Sequence, residues 1–326
     1  MKRIAISMGD PAGIGPEIIL KTFQSEEAIG RELVVVGDAS ILEAVQEKAF
    51  EKQLEIRSIH AMEDAKFESG IVNVWDLGLV TPDMIKPGLV SADAGNAAFQ
   101  YVVEAIKLAQ AGQVSSVVTA PLNKEAMHLA GHQFAGHTEI FATYTKTKDY
   151  AMLLYDEKLS VIHVSTHISL LDAIQTLTQE RVERVIELAQ ESMTRILGRN
   201  PKIAVAGLNP HAGENGLFGR EEIDTIIPAI DVMRQQGIDV SGPYPPDTIF
   251  LKASQGEYDV VVGMYHDQGH IPLKLLGFHS GVNISVGMPV IRTSVDHGTA
   301  FEIAWQGIAR NDSLVQAIRL AERLGE

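Results

Sequence analysis

Three histidines, His167, His211 and His266, lie at or just beyond the ends of apolar segments that have the pattern of buried strands. Ligands bind outside the carboxyl ends of the strands in an open parallel sheet, so three imidazoles placed there can converge on one crevice. Three neutral imidazoles that leave a fourth position open form a catalytic metal site. For each histidine alone, the alternative interpretation is a hydrogen-bonded loop residue without a ligand.

Two carboxylates stand near these histidines in the sequence. Asp267 directly follows His266, and Asp247 lies in the segment Pro245–Thr248. Carboxylates beside metal-binding imidazoles either orient the rings or act as bases, and the sequence leaves both roles open.

Other polar residues interrupt apolar surroundings. His137 and Thr138 are consecutive at a predicted helix start, where Thr138 either caps the helix, with His137 exposed, or both residues contact a ligand. Lys274, Asn283 and Arg292 punctuate an apolar region. A cation in such a region either extends to the surface, which is the commoner case, or receives an anion.

The segment Gly9–Glu17 joins a predicted strand to a predicted helix, with Pro16 in the first helical turn. It either holds an anion at a helix N-terminus or forms a tight turn. No segment matches G-x-G-x-x-G, so the sequence lacks the dinucleotide-binding signal of the Rossmann fold.

Short apolar strands that alternate with longer helical patterns must position these residues. Near-continuous apolar runs predict buried strands at Ile4–Met8, Leu33–Val36, Val114–Thr119, Val161–His167, Lys202–Ala206 and Val260–Met264. Helical periodicity predicts helices at Gly15–Gln24, Ser91–Gln110, Gln179–Leu197, Arg220–Gln236 and Ser313–Leu324. The segment Tyr150–Val164 predicts an antiparallel hairpin. The sequence therefore predicts an α/β protein with a mostly parallel sheet.

Composition limits the classes of partner. The 326 residues are 45% apolar and carry a formal net charge of −15, which disfavours nucleic acid and membrane surfaces as partners. An anion would need a site built locally from a few cations. Without cysteine there are no disulfides, thiolate metal sites or thiol nucleophiles. The sequence shows neither a signal-peptide pattern nor an apolar run long enough to span a membrane, and we expect a cytoplasmic protein.

Six motifs together resemble the 4-hydroxythreonine-4-phosphate dehydrogenase family, in order and over essentially the whole chain. They are Gly9–Glu17, Thr119–Lys124, Gly136–Glu139, Asn209–Glu214, His266–Gly269 and Arg292–Ala300. The resemblance implies an isocitrate/isopropylmalate dehydrogenase-like α/β fold, in which two α/β domains flank a cleft. By analogy, residues 1–130 and 303–326 would form the first domain and residues 131–302 the second. It further implies a homodimer with its active site at the subunit interface.

The resemblance also implies the chemistry: oxidation and decarboxylation of a 4-phosphorylated 3-hydroxy acid with NAD, or with NADP as the alternative. It assigns the divalent metal to His167, His211 and His266, drawn from both subunits, and substrate contacts to His137, Thr138, Lys274, Asn283 and Arg292. Asp247 and Asp267 are then the candidates for proton transfer or ligand orientation, and no residue is assigned to the cofactor. Imidazole ligands suit zinc or another transition metal better than magnesium, so zinc is the expected metal, with magnesium, manganese and cobalt as alternatives.

Two segments, His270–Phe278 and Gly242–Thr248, look closer to a related branch that acts on D-threonate or D-erythronate 4-phosphate. The substrate is therefore either 4-phosphohydroxy-L-threonine, from vitamin B6 synthesis, or one of these sugar acids. Two other classes stay open: a three-histidine metallohydrolase that cleaves a phosphoester, and a binding protein for phosphorylated sugar acids.

Overall fold

Short buried strands alternate with longer helices along the chain. The computed structural model describes residues 3–276 and 281–325. Its strands are β1 (Ile4–Ser7), β2 (Leu33–Gly37), β3 (Glu55–Ile59), β4 (Ile71–Asp76), β5 (Ser116–Thr119), β6 (Ala151–Tyr155), β7 (Val161–His163), β8 (Ile203–Ala206), β9 (Val240–Tyr244), β10 (Val260–Gly263), β11 (Val282–Val286) and β12 (Ile291–Val295). Its helices are α1 (Gly15–Gln24), α2 (Ala39–Ala49), α3 (Ala92–Gln110), α4 (Lys124–Leu129), α5 (His137–Tyr144), α6 (Leu170–Gln175), α7 (Gln179–Leu197), α8 (Ile227–Gln235), α9 (Pro246–Ser254), α10 (His266–Leu275) and α11 (Asp312–Leu324).

The first of two compact units contains Met1–Lys148 and Met288–Glu326. Its strands lie in the order β3-β4-β2-β1-β5-β12, and each pairs in parallel with its neighbour. Strands β1, β2 and β5 are buried along their whole length, which is typical of a parallel sheet covered on both faces. Ser91 caps the N-terminus of α3, because Ala94 N donates to Ser91 Oγ at 3.2 Å.

The second unit contains Asp149–Gly287. Its strands lie in the order β11-β6-β7-β10-β8-β9. Strands β7, β10, β8 and β9 are parallel, whereas β6 runs antiparallel to both β7 and β11. The predicted hairpin is thus β6 and β7, and the carboxyl ends of β7, β10 and β8 lie at one edge of the sheet.

The unit boundaries differ from those predicted. Segments 131–148 and 288–302 belong to the first unit, although the analogy with the resembled fold placed them in the second domain. Pairing explains the difference for the later segment, because β12 lies beside β5 with Arg292 opposite Val117. Packing explains it for the earlier one, because α5 contacts α3.

Two predicted elements end or begin differently from the sequence pattern. The strand predicted over Val161–His167 stops at His163, and His167 lies in the loop that follows. The helix predicted over Arg220–Gln236 begins with a π-helical turn, Glu222–Ile226, before α8. Among the described residues, no helix is both long enough and apolar enough to cross a bilayer.

Candidate active site

A buried arginine lies at the centre of a polar cluster in the first unit. Arg292, on β12, is only 3% exposed. Its Nε and Nη2 donate to Thr119 Oγ1 at 3.2 and 3.0 Å, and its Nη1 donates to Thr138 Oγ1 at 3.2 Å. The guanidinium carbon lies 5.8 Å from the ring centroid of Phe141. Of the two interpretations left open for Arg292, extension to the surface is therefore wrong, because the hydrogen-bond partners of its side chain lie inside the unit.

Burial also controls the charge of the cluster. Desolvation lowers the pKa of Arg292 to about 9, and the carboxylate of Glu139 opposes this shift. Burial, followed by the positive charges of Arg292 and Lys124, holds the pKa of His137 well below its usual range. An anion that entered the cluster would favour the charged form of Arg292.

His137 opens α5, with Gly136 at the N-cap. Its Nε2 is shielded from solvent and has no hydrogen-bond partner within the described part of the chain. The interpretation of Thr138 as a simple helix cap with an exposed His137 is therefore wrong. Both side chains instead line the same cluster as Arg292, with His137 kept neutral.

The segment Gly9–Glu17 is a tight turn. Asp10 N donates to Pro121 O, and Ile14 N donates to Thr299 O, so these amides are occupied by carbonyls. Gly9 has φ +73°, and a Cβ there would lie 2.4 Å from Pro121 O. This close approach explains the glycine and favours the turn over an anion site.

Four imidazoles approach one another in the second unit, at the carboxyl ends of β7 and β10. The ring centroids of His167 and His266 are 5.8 Å apart, and those of His266 and His270 are 3.6 Å apart. His163, the last residue of β7, lies 4.9 Å from His270 between ring centroids. We call His163, His167, His266 and His270 the imidazole cluster.

His266 has the hydrogen bonding of a metal ligand. Its Nδ1 donates to Asp267 Oδ1 at 2.7 Å, which leaves the lone pair of Nε2 available. The hydrogen bond from His266 is the main reason why the pKa of Asp267 lies below its usual range. Of the two roles left open for Asp267, the structure favours orientation of the His266 ring.

His163 and His270 are held neutral behind His266. Burial lowers the pKa of His163 to about 3 and that of His270 to about 4, and neighbouring imidazoles add to both shifts. His163 Nδ1 donates to Met152 O at 3.3 Å, and His270 Nδ1 donates to His266 O at 3.0 Å. Sequence analysis missed both residues, and the only signal was the excess of histidine near predicted strand ends.

His211 lies in a loop with unusual backbone angles. Residues His211 to Asn215 have φ between 42° and 77°, a left-handed run that L-residues rarely adopt. Glu222, 1% exposed, holds the start of this loop. Its Oε1 accepts from Leu208 N at 2.8 Å and Asn209 N at 2.7 Å. Sequence analysis also missed Glu222, which resembled any other carboxylate on an amphipathic helix.

The donor set fits a metal ion in part. The ring centroids of His167 and His266 are 5.8 Å apart. This separation is compatible with two imidazoles that bind the same ion through metal–nitrogen bonds of about 2.0–2.1 Å. In residues 3–276 and 281–325, however, no three His, Asp or Glu side chains form a group that could hold a metal ion. One chain therefore brings two of the three predicted ligands together, and His211 does not join them.

The other predicted residues of the second unit have separate settings. Lys274 is exposed in the last turn of α10, close enough to contribute to the lowered pKa values of Asp267 and His270. Asn283, on β11, donates from Nδ2 to Met152 Sδ at 3.0 Å. Asp247 is exposed in the first turn of α9. Among the described residues, Asp247 is not part of any group of three or more side chains that could hold a metal ion.

Comparison with known proteins identifies relatives over the full chain. The family model described as "Pyridoxal phosphate biosynthetic protein PdxA" matches residues 30–321. The D-threonate 4-phosphate dehydrogenase of Salmonella typhimurium is 54% identical over 323 residues, which cover 99% of each chain. The 4-hydroxythreonine-4-phosphate dehydrogenase of Beijerinckia indica is 46% identical over 323 residues, covering 98% of this chain and 94% of its own. The crystal structure of 4-hydroxythreonine-4-phosphate dehydrogenase from Klebsiella pneumoniae superposes with a TM-score of 0.90 at 52% identity, covering 100% of both chains.

A more distant likeness concerns the fold alone. A beta-decarboxylating dehydrogenase from Thermococcus kodakarensis superposes with a TM-score of 0.52 at 16% identity, over 97% of this chain and 82% of that one. This likeness confirms the predicted α/β fold of the isocitrate/isopropylmalate dehydrogenase type. The family model covers most of the sequence, and the relatives match it from end to end. The predicted resemblance is thereby confirmed, and the chain belongs to the PdxA family.

Proposed function

We propose that the protein is a dehydrogenase that oxidises and decarboxylates D-threonate 4-phosphate, with a nicotinamide cofactor and a divalent metal ion. The observation that carries this proposal is the 54% identity, over 99% of both chains, to an enzyme named for that substrate. The segments Gly242–Thr248 and His270–Phe278 favour the same branch, although Gly277 and Phe278 lie outside the described residues. NAD is the expected cofactor, and NADP is its alternative.

The Arg292 cluster of the first unit is the proposed anion site. The substrate carries a carboxylate and a phosphate, and a planar guanidinium can donate two parallel hydrogen bonds to either group. Arg292 is held by Thr119 and Thr138, so little side-chain freedom is lost when an anion binds. His137 remains neutral and places Nε2 in the same cluster. Lys274 and Asn283 are proposed to bind other polar groups of the substrate.

The imidazole cluster of the second unit is the proposed metal site. His167 and His266 would hold the ion with His211, and nitrogen ligands suit zinc better than magnesium. When bound, a divalent ion lowers the pKa of a substrate hydroxyl and stabilises negative charge on neighbouring oxygens. Asp267 fixes the ring of His266 through the hydrogen bond to Nδ1. Asp247 remains a candidate for proton transfer without a described link to the cluster.

We propose that the protein is a homodimer and that His211 and His266 at one metal ion belong to different subunits. This arrangement is supported by the finding that, within residues 3–276 and 281–325, no third ligand joins His167 and His266. Large apolar side chains also follow each proposed ligand at the surface. Leu171 is 62% exposed after His167, Leu217 is 71% exposed after His211, and Leu275 is 81% exposed on α10. We propose that the partner subunit covers these side chains.

A direct comparison of substrates tests the proposed activity. The purified protein is incubated with Zn²⁺ or Mn²⁺, NAD, and either D-threonate 4-phosphate or 4-phosphohydroxy-L-threonine, while reduced cofactor and inorganic phosphate are both measured. We expect kcat/KM to be at least about tenfold higher for D-threonate 4-phosphate than for 4-phosphohydroxy-L-threonine. A site that hydrogen-bonds the C2 hydroxyl of the first substrate discriminates against the amino group that the second carries there. NADP replaces NAD in a parallel series.

Other outcomes of this assay identify the alternatives. The opposite preference would assign the protein to 4-phosphohydroxy-L-threonine, a second candidate favoured by the Beijerinckia relative. Release of phosphate without reduced cofactor would indicate the metallohydrolase. The relatives described above are named dehydrogenases, which favours the oxidoreductase. Neither product would indicate a binding protein and would contradict the proposal.

A further inference from the structure

The imidazole of His266 is packed against a second ring one helical turn away. His266 and His270 are four residues apart on α10, a spacing that places side chains on the same helix face. Their ring centroids are 3.6 Å apart and their planes are inclined by only 11°, so the rings are stacked. The side chain of His266 is 35% exposed, whereas His270 is 8% exposed. The buried ring therefore covers one face of the exposed ring.

His270 is itself fixed in orientation. Its Nδ1 donates to the backbone oxygen of His266 at 3.0 Å, which ties the ring to the first turn of α10. This hydrogen bond sets the ring over its own helix turn rather than toward solvent. Any rotation of His270 would break the bond and separate the two stacked rings.

A third ring supports His270 from the interior. His163 is fully buried and lies 4.9 Å from His270 between ring centroids. It fits beneath α10 because Gly269 has no side chain. A Cβ at Gly269 would lie 2.4 Å from His163 Nε2 and 2.6 Å from Val161 Cγ1. The sequence of α10 thus leaves room for an imidazole below His270.

These contacts carry a cost that an aliphatic side chain would avoid. A buried imidazole needs hydrogen-bond partners, and His270 meets this need at Nδ1 by donating to His266 O. A leucine at position 270 would fill similar space without polar atoms. The polar, planar ring therefore needs an explanation other than core packing.

We propose that His270 is a positioning residue whose ring, stacked on His266, holds that imidazole in its metal-binding orientation. This inference rests on the proposed function, because the metal ion is part of it. Residues that orient a metal ligand reduce the number of ring orientations that binding must select, and their loss weakens metal affinity by about 10–100-fold. Asp267 fixes His266 at its Nδ1 edge, and His270 fixes it at its face.

The test measures binding of Co²⁺ and Zn²⁺ to the metal-free full-length protein, by visible absorption and by calorimetry. We expect His270→Leu to weaken binding by about tenfold or more and to change the Co²⁺ absorption spectrum. His270→Phe keeps a stacking face and should restore most of the affinity. His60→Leu, which removes an exposed histidine of the first unit, serves as the matched control. Thermal melting without metal shows whether each variant is folded.

The outcomes separate this inference from the proposed function. Wild-type metal affinity in His270→Leu, or equally weak binding in His270→Phe, would overturn the role of stacking. If His270→Leu does not fold, His270→Gln carries the test, because it keeps a donor but has no ring and should bind as weakly as expected for leucine. Wild-type metal affinity in His266→Ala would instead overturn the proposed metal site. Loss of metal in His266→Ala, with full affinity in His270→Leu, would overturn the positioning role alone.

Discussion

Burial decides the protonation of individual side chains in this protein, and Asp10 is a clear case outside the two clusters. It follows β1 and has no exposed surface. Its Oδ1 accepts from Ala12 N at 2.9 Å, but its Oδ2 has no partner among the described atoms. Desolvation raises the pKa of Asp10 from 3.8 to about 6, and the Ala12 amide opposes the shift. The folded chain therefore holds this proton up to a higher pH than the unfolded chain does.

The raised pKa predicts how stability depends on pH. Protonation of Asp10 in the folded state contributes stability that is complete below pH 3.8 and is lost as pH rises through about 6. A shift of this size corresponds to about 3 kcal/mol. We expect Asp10→Asn to raise the melting temperature at pH 7–8, and the gain to shrink toward pH 4. Asp239→Asn, at an exposed site, is the control; an equal gain there, or a gain independent of pH, would contradict the assignment.

The role of a single side chain is hard to predict from sequence when its partners lie far away in the chain. The type of Arg292 and its apolar surroundings raised the question of an anion site but favoured the surface. The deciding partner is Thr119, which lies 173 positions away in the chain and becomes a neighbour only because β12 pairs with β5. His270 is a similar case, since its contact with His163 depends on parallel pairing of β7 and β10.

Among the elements, the loop that carries His211 is held by a helix that begins after it. Glu222 sits in the π-helical turn Glu222–Ile226 and accepts hydrogen bonds from two backbone amides of the loop and from Asn209 Nδ2. A buried carboxylate with three donors offsets part of the cost of the left-handed backbone that follows. Glu222 is therefore the side chain that accepts hydrogen bonds from both Leu208 N and Asn209 N at the start of the loop.

We expect Glu222→Gln to lower the free energy of unfolding by about 1–3 kcal/mol, because the neutral amide turns an NH₂ group toward Asn209 Nδ2 and loses a charge-assisted bond. Hydrogen exchange in residues 208–219 should increase more than in the rest of the second unit. Glu221→Gln, which removes one acceptor for Asn209, is the matched control and should have the smaller effect. Unchanged exchange in this loop would show that Glu222 does not hold it.

Regular elements were easier to predict than this loop. Helices α1 and α7 have the bounds that their apolar periodicity predicts, and β1, β2 and β10 coincide with continuous apolar runs to within a residue. Such patterns depend only on neighbouring residues, so they predict helices and strands without knowledge of the fold. The π-helical turn and the left-handed residues have no such local pattern, and the sequence does not show that Glu222 accepts hydrogen bonds from Leu208 N and Asn209 N at the start of the loop.

For the whole molecule, the proposed dimer makes a prediction that a monomer does not. His211→Ala and His266→Ala should each lose turnover and metal together. If the two histidines of one site belong to different subunits, a mixed dimer of these variants contains one intact site. Co-expression should then restore roughly a quarter of the wild-type activity, the share expected from random pairing in a two-fold dimer. A mixture as inactive as its components would contradict the shared site.

The chain order of the two units has a consequence for synthesis. The first unit takes strand β12 and helix α11 from Met288–Glu326, which follow the whole of the second unit in the sequence. Thr293, on β12, donates to Ala317 O, and Arg31 and Arg319 join α11 to residues near the amino terminus. The whole second unit is therefore synthesised before β12, and until then the side of β5 that pairs with β12 has no partner strand. Domains fold as their sequences emerge, so we expect the amino-terminal part of the first unit to complete its fold only after residues 288–326 have emerged.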